Sequence, residues 1–148
     1  KVGKATMWMV VGAALVLTSH LIITFAPHGV PMYAYIAIAL LGIGYSLVPS
    51  AMWPSVPKII PEKNLGTAYS LIYWVQNLGM WAVPIYIGNI FSKEITQAGN
   101  HAQEVSAAIH AEYIFIILGI IAIGVAIMLM ISSKRNPSLK LDAPARKS

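Results

Sequence analysis

The stretch YIFIILGIIAIGVAIMLMI, residues 113–131, decides the fold. It carries no charge, and no polar side chain beyond Tyr113 at its edge. A membrane-spanning helix needs roughly 20 mostly apolar residues. A strand of a membrane barrel would alternate apolar and polar positions over about ten residues, and this segment does not alternate. It is also too long for the apolar core of a cleaved signal peptide, which runs to about 7–15 residues. The reading is a transmembrane helix, apolar all round and suited to facing lipid.

Two further charge-free runs lie upstream, between Ala5 and Pro57 and between Asn64 and Ser92. The first is long enough for two spans, and APHGVP at 26–31 divides it. The expected fold is therefore all-α, a multi-pass transmembrane helical bundle with four spans at about 5–26, 32–53, 66–91 and 112–132. Residues 92–111 then form an external loop, with Ile95, Val105 and Ile109 on one face of any local helix. Residues 134–148 form a basic tail, polar and proline-containing, expected to be disordered. Of the 148 residues, 57% are hydrophobic and 10% charged, against about 25% charged in a soluble domain.

The net charge of +5 does not mark a nucleic-acid surface. Four spans put both termini and the middle loop on one side. That side holds Lys1, Lys4, Lys58, Lys63, Lys134, Arg135, Lys140, Arg146 and Lys147; the other holds Lys93 alone. Basic residues concentrate in cytoplasmic loops, so both termini are expected in the cytoplasm. No nucleic-acid partner is expected; the lipid bilayer is. The opening KVGK runs straight into an apolar helix, and further helices of the same chain are expected upstream as partners.

Two spans are plain and two carry polar stripes. The first has only His20 as a titratable group, read as a hydrogen-bonded histidine with proton relay as the lesser alternative. In the second, Tyr35, Gly42, Tyr45, Ser46, Pro49 and Trp53 fall on one helical stripe. Pro49, Pro54 and Pro57 remove backbone donors, so this span should kink or break near its end. Irregular backbone at membrane depth is tolerated where it is buried in protein or lines a water-filled cavity. In the third, Tyr69, Tyr73, Gln76, Asn77, Met80 and Pro84 share a face. Gln76 and Asn77 are either interhelical hydrogen-bonding groups or substrate contacts; spacing leaves both open. Gly66 and Ser70 stand four apart, and together with Gly79 they are candidate close-packing positions for a neighbouring helix.

Catalytic and cofactor signatures are missing. There is no Gly-rich phosphate loop, no HExxH and no nucleophile elbow. The absence of Cys removes disulfides and thiolate metal sites. No enzyme, metal site or cofactor is expected.

The segment WPSVPKIIPEKNLGTAYSLIYWVQNLG, residues 53–79, resembles a pattern of the major facilitator superfamily. The matching positions are Trp53, Pro54, Val56, Pro61, Glu62, Leu65 to Tyr69 and Gln76 to Gly79. The likeness is to the lysosomal dipeptide-transporter branch and its bacterial relatives; Ser70 departs from it where Gly is usual. Lys1, Gly3 and Lys4 resemble the end of that superfamily's cytoplasmic signature, with Ala5 departing from it. The resemblance implies that the spans are helices nine to twelve, in the C-terminal half of a twelve-helix fold. It implies a secondary transporter of small organic solutes, most readily short peptides, working by rocker-switch alternating access. The membrane would be a bacterial inner membrane or, for a eukaryotic relative, the lysosomal one. Candidate path residues are Tyr45, Trp53, Tyr73, Gln76 and Asn77. The competing reading is a non-transporting four-helix scaffold or assembly subunit.

Overall fold

The computed structural model describes residues 4–27, 29–95, 100–139 and 141–142. The described chain is helical, as expected. Helix α1 spans Ala5–Phe25, α2 Pro31–Met52, α3 Val56–Ile59, α4 Leu65–Glu94 and α5 His101–Arg135. Short 3-10 turns cover Trp53–Ser55, Glu62–Asn64 and Pro137–Leu139. Three segments are long and apolar enough to cross a membrane: Ala5–Phe25, Pro31–Ile59 and His101–Arg135. Helix α4 has 30 residues, about 45 Å at 1.5 Å per residue and so ample for a bilayer core of about 30 Å. It is not among those three segments, because its tyrosines, tryptophans and the Gln76–Asn77 pair dilute its hydropathy.

Helices α1 and α2 form an antiparallel hairpin. Gly29, at φ 90°, takes the left-handed turn conformation that glycine tolerates. Pro31 then opens α2 at a position where a missing N–H costs nothing. The two helices approach at Gly12 and Gly44. A Cβ on Gly44 would sit 2.7 Å from the Gly12 carbonyl oxygen, and one on Gly12 would sit 2.8 Å from Val48 Cγ2. Close backbone approach of this kind is how helices gain packing contacts in lipid. Nearer the turn, the fully buried Ser19 hydroxyl donates to the Ala37 carbonyl at 2.7 Å. On its other side α1 meets α5, where Gly119 lies against Leu17. Helix α1 is thus the centre of the packing, flanked by α2 and α5.

Helix α2 changes geometry where the prolines dictate. Pro49 lies inside it, and the 3-10 turn begins at Trp53, just before Pro54. Pro54 and Pro57 lack the N–H groups that would have continued the α ladder. Hydroxyls close to membrane depth are satisfied within their own helices: Ser46 on Gly42, Ser50 on Ser46 and Ser70 on Gly66 carbonyls. That leaves no free donor in hydrocarbon at these positions.

Two expected boundaries need correction. The long loop at 92–111 is largely helical: α4 reaches Glu94 and α5 begins at His101. Asn100 caps α5, its side-chain oxygen accepting from the Gln103 N–H at 3.0 Å, and Glu104 favours the positive first turn. Hydropathy falls before this helix does. Residues 96–99 lie outside the described residues.

The tail, expected to be disordered, takes up defined structure at 134–139 and again at 141–142, with residues 140 and 143–148 outside the described set. After α5 ends at Arg135, the chain turns back and buries Leu141 to 2% exposure. Asp142 then caps α1 from across the fold. Its carboxylate accepts from the Thr6 N–H at 3.0 Å, the Thr6 hydroxyl at 2.9 Å and the Ser133 hydroxyl at 2.8 Å. Lys4, at φ 74°, donates its N–H to the Asp142 carbonyl, and Lys58 Nζ donates to the Leu141 carbonyl at 3.0 Å. A carboxylate at a helix N-terminus satisfies orphan donors and meets the positive end of the helix dipole.

Burial pushes the Asp142 carboxyl up. The hydrogen bonds from Thr6 and Ser133, with the nearby Lys58 charge, outweigh it and hold the pKa below the ordinary 3.8. A depressed folded-state pKa contributes stability that is present above 3.8 and lost as pH falls through the folded value. Asp142→Asn is therefore expected to lower the stability of the full-length protein by about 0.5–2 kcal/mol at neutral pH. Thermal unfolding in detergent should show that difference narrowing as the pH drops below 3.8.

Candidate functional site

Helix α4 has no buried residue. Among the described residues it is fastened mainly at its two ends. At the basic end, the Trp53 ring packs at 5.6 Å from Tyr69 and 5.2 Å from Tyr73, tilted by 35° and 33°. Tyr69 and Tyr73 are one turn apart on α4, so Trp53 sits over one α4 face. The proline-induced turn at Trp53–Ser55 carries the indole there. At the other end, Glu94 accepts from the Ser106 hydroxyl at 3.1 Å and contacts His110 Nδ1. Between the two, the apolar and aromatic side chains of α4 stand open: Tyr73, Trp74, Met80, Trp81 and Tyr86 are all at least half exposed.

Gln76 and Asn77 lie in the middle of this open helix, on the face that carries Tyr69, Tyr73, Met80 and Pro84. Both are exposed. Neither amide is hydrogen-bonded to another described residue. Each offers two donors and an acceptor, and an amide left unsatisfied in hydrocarbon would be costly. The face therefore requires either water, another helix or a bound polar molecule.

The structure brings together some of the residues singled out in the sequence and not others. Trp53 and Tyr73 are in ring contact, with Gln76 and Asn77 one turn beyond Tyr73. Tyr69, noted on the stripe but not counted as a site residue, belongs with them. Tyr45 points elsewhere. It lines an apolar cavity of about 460 Å³ between α1, α2 and α5, with Val16, Pro49, Gly119 and Leu129. Among the described residues a Cβ on Gly66 or Gly79 would meet no other element within 4 Å, and Ser70 bonds back to Gly66. Those positions keep an open surface. Within the chain, the close approach is at Gly12 and Gly44 instead.

A second polar cluster was not foreseen as a pair. His20 Nδ1 lies 2.6 Å from Glu112 Oε2, and the imidazole stacks on Phe115 at 5.0 Å. His20 is 9% exposed. The clue was a lone histidine in the first span and a lone glutamate at the start of the fourth. Among the described residues no group of three or more His, Cys, Asp or Glu is placed to hold a metal ion.

Long apolar helices, a proline-broken second span and one open helix bearing aromatic and amide groups define an integral membrane protein of the helical multi-pass class. The chain belongs to the Major Facilitator Superfamily, which it matches over residues 1–148. It is similar to the lysosomal dipeptide transporter MFSD1 of Homo sapiens, with 39% identity over 90 residues, 61% of this chain and 18% of that protein. The MFSD1 protein of Mus musculus is 38% identical over 94 residues, 64% of this chain and 19% of that protein. That of Gallus gallus is 39% identical over 90 residues, 61% of this chain and 20% of that protein. The chain thus spans about a fifth of the length of these curated relatives. No solved structure matches it.

Proposed function

We propose that this chain supplies four membrane-crossing helices to a secondary transporter of small organic solutes, with short peptides as the substrate class. In this reading α1, α2 with its broken end, α4 and α5 are helices nine to twelve of a twelve-helix bundle. The observation that carries it is α4: a helix long enough to cross the bilayer, with no buried residue and, at its middle, an amide pair that makes no hydrogen bond to another described residue. A helix with that face is unsuited to lipid. It suits a polar path shared with further helices.

Each residue then has a role. Gln76 and Asn77 hydrogen-bond the amide groups of a peptide. Trp53 and Tyr73 shape the path below them and offer ring faces for apolar side chains. Tyr45 contributes from the apolar α1–α2–α5 cavity rather than from this face. Gly66, Ser70 and Gly79 are the positions at which another helix comes close. Alternating access moves the two halves of the bundle about this midplane region. The protein is a transporter and not an enzyme. Nine of ten basic residues on one side support cytoplasmic termini, and the similarity to MFSD1 supports a lysosomal membrane if the source is eukaryotic. The family match gives the scaffold alternative no support.

The test is uptake of a labelled dipeptide into vesicles carrying the full-length protein. Saturable uptake above protein-free vesicles, competed by other dipeptides, is the expected result. Uptake no greater than in protein-free vesicles would remove the peptide assignment.

A further inference from the structure

The geometry points to a proton-binding site at His20 and Glu112, seated between α1 and α5 and separate from the α4 face. The inference does not rest on the transport reading. It starts from a distance. Nδ1 and a carboxylate oxygen are 2.6 Å apart, and two acceptors do not approach so closely without a hydrogen between them. One proton is therefore held in the contact, and with Nε2 bare it sits as Nδ1–H donating to the carboxylate, since a carboxylic acid facing a ring without Nε2–H would leave an imidazolate. Nε2 remains available for a second. With one proton the pair carries a net negative charge; with two it is an imidazolium–carboxylate ion pair of zero net charge.

The surroundings make that difference matter. The His20 and Glu112 side chains are only 11% and 18% exposed, and Phe115 covers one face of the imidazole. The pair nevertheless has a route to water. Glu112 lines a cavity of about 330 Å³ at the end of the bundle that holds the α1–α2 turn, along with Ile22, Pro27, Tyr33 and Ile109. Protons can thus reach the carboxylate without entering the α4 path. The pair joins α1, the central helix, to α5, so its protonation sets how firmly those two helices are held.

Every neighbouring titratable group among the described residues can be named. Helix α1 offers His20 alone. Helix α2 contributes Tyr33 at the cavity wall. Helix α5 contributes Glu112, followed by Tyr113, and His110, whose ring lies 6.0 Å from that of Tyr113. Helix α4 contributes Glu94, already engaged with His110. The His110–Glu94 pair is more exposed, at 53% and 26% for the side chains, and serves as the internal control.

The test is a double-mutant cycle on the purified full-length protein. Thermal unfolding is followed for wild type, His20→Gln, Glu112→Gln and the double variant, at about pH 5.5 and about pH 8, the window in which histidine changes charge. The two substitutions are expected to be non-additive, with the coupling seen as a Tm loss about 2–4 °C larger at the lower pH, where an ion pair replaces a neutral donor. The cycle through His110 and Glu94 should show a smaller pH effect. Additive substitutions, or a coupling equal at both pH values, would overturn the site. Should the variants not be recovered folded, histidine-selective nitrogen NMR of the wild type decides. A ring in the Nδ1–H form at about pH 8 that becomes doubly protonated at about pH 5.5 supports the site. A ring in the same state at both overturns it.

Discussion

Replacing Gln76 and Asn77 together by leucine in the full-length protein is expected to cut dipeptide uptake about tenfold to a hundredfold, with normal membrane expression. The reasoning is one of unmet hydrogen bonds. A peptide crossing the membrane brings several amide groups away from water. Each needs a partner or costs about 1–3 kcal/mol when buried without one, and about 1.4 kcal/mol is a factor of ten in rate or affinity. In the proposed path, two amide side chains on one α4 face would replace that lost water. Leucine matches their size and removes the donors and acceptors. The outcome separates the two readings that spacing left open. If the amides hold another helix, the double variant loses thermal stability or expression as well as uptake. If they hold substrate, stability is retained and uptake falls, and the single variants identify which amide contributes more. Unchanged uptake at normal expression would remove both residues from the path.

The second large effect concerns folding. Gly44→Leu is expected to deplete folded protein severely, whereas Gly124→Leu should be tolerated. At Gly44 a Cβ would lie 2.7 Å from the Gly12 carbonyl oxygen and 2.9 Å from Val16 Cγ2. The carbonyl is backbone and cannot rotate aside, so α1 and α2 would have to separate. Overpacking of a close contact costs about 1–3 kcal/mol and sometimes more. Here the loss extends to the Ser19–Ala37 hydrogen bond farther along the same interface. At Gly124 a Cβ would have no neighbouring element within 4 Å among the described residues. The measurement is the monodisperse fraction recovered in detergent, together with Tm. Equal recovery of the two variants would mean that the Gly12–Gly44 contact does not hold the hairpin.

The sequence made the apolar helices legible, because charge-free runs of membrane length have few other readings. It also located the break after Met52, since three prolines in nine residues leave the helix few alternatives. What it hid were contacts between distant positions. Asp142 binds Thr6 across 136 residues, and His20 meets Glu112 across 92. No local pattern encodes either. The tail looked disordered because its composition is polar and basic, yet Leu141 and Asp142 find a pocket and a helix terminus to fit. The start of α5 was not legible for a different reason. Hydropathy reports where the membrane ends, while Asn100 and a run of good helix formers decide where the helix ends.

One hidden contact had a readable signal. In an antiparallel hairpin, residues at equal distance from the turn lie side by side. Gly12 and Gly44 are each sixteen residues from position 28, and Ser19 and Ala37 are each nine away. Small residues mirrored about APHGVP mark the interface that the structure contains. Gly66 and Ser70 satisfy the familiar spacing, yet a Cβ on Gly66 would meet no other element among the described residues and Ser70 bonds back to Gly66. Spacing on one helix identifies a surface able to pack; it does not identify the partner.

One face of α4 carries the proposed path. Its most direct test is single-cysteine labelling along α4, made convenient by the absence of cysteine from these 148 residues. In a full-length protein freed of any other cysteines, thiols are placed one at a time at Tyr69, Tyr73, Gln76, Asn77, Met80 and Pro84, and on the opposite face at Leu71, Val75 and Ala82. A membrane-impermeant thiol reagent is then applied with and without dipeptide. Labelling is expected to follow the helical period, strong at Tyr73, Gln76, Asn77 and Met80, absent from the opposite face, and reduced by dipeptide at Gln76 and Asn77. Labelling on the opposite face with none at Tyr73, Gln76 and Asn77 would contradict it.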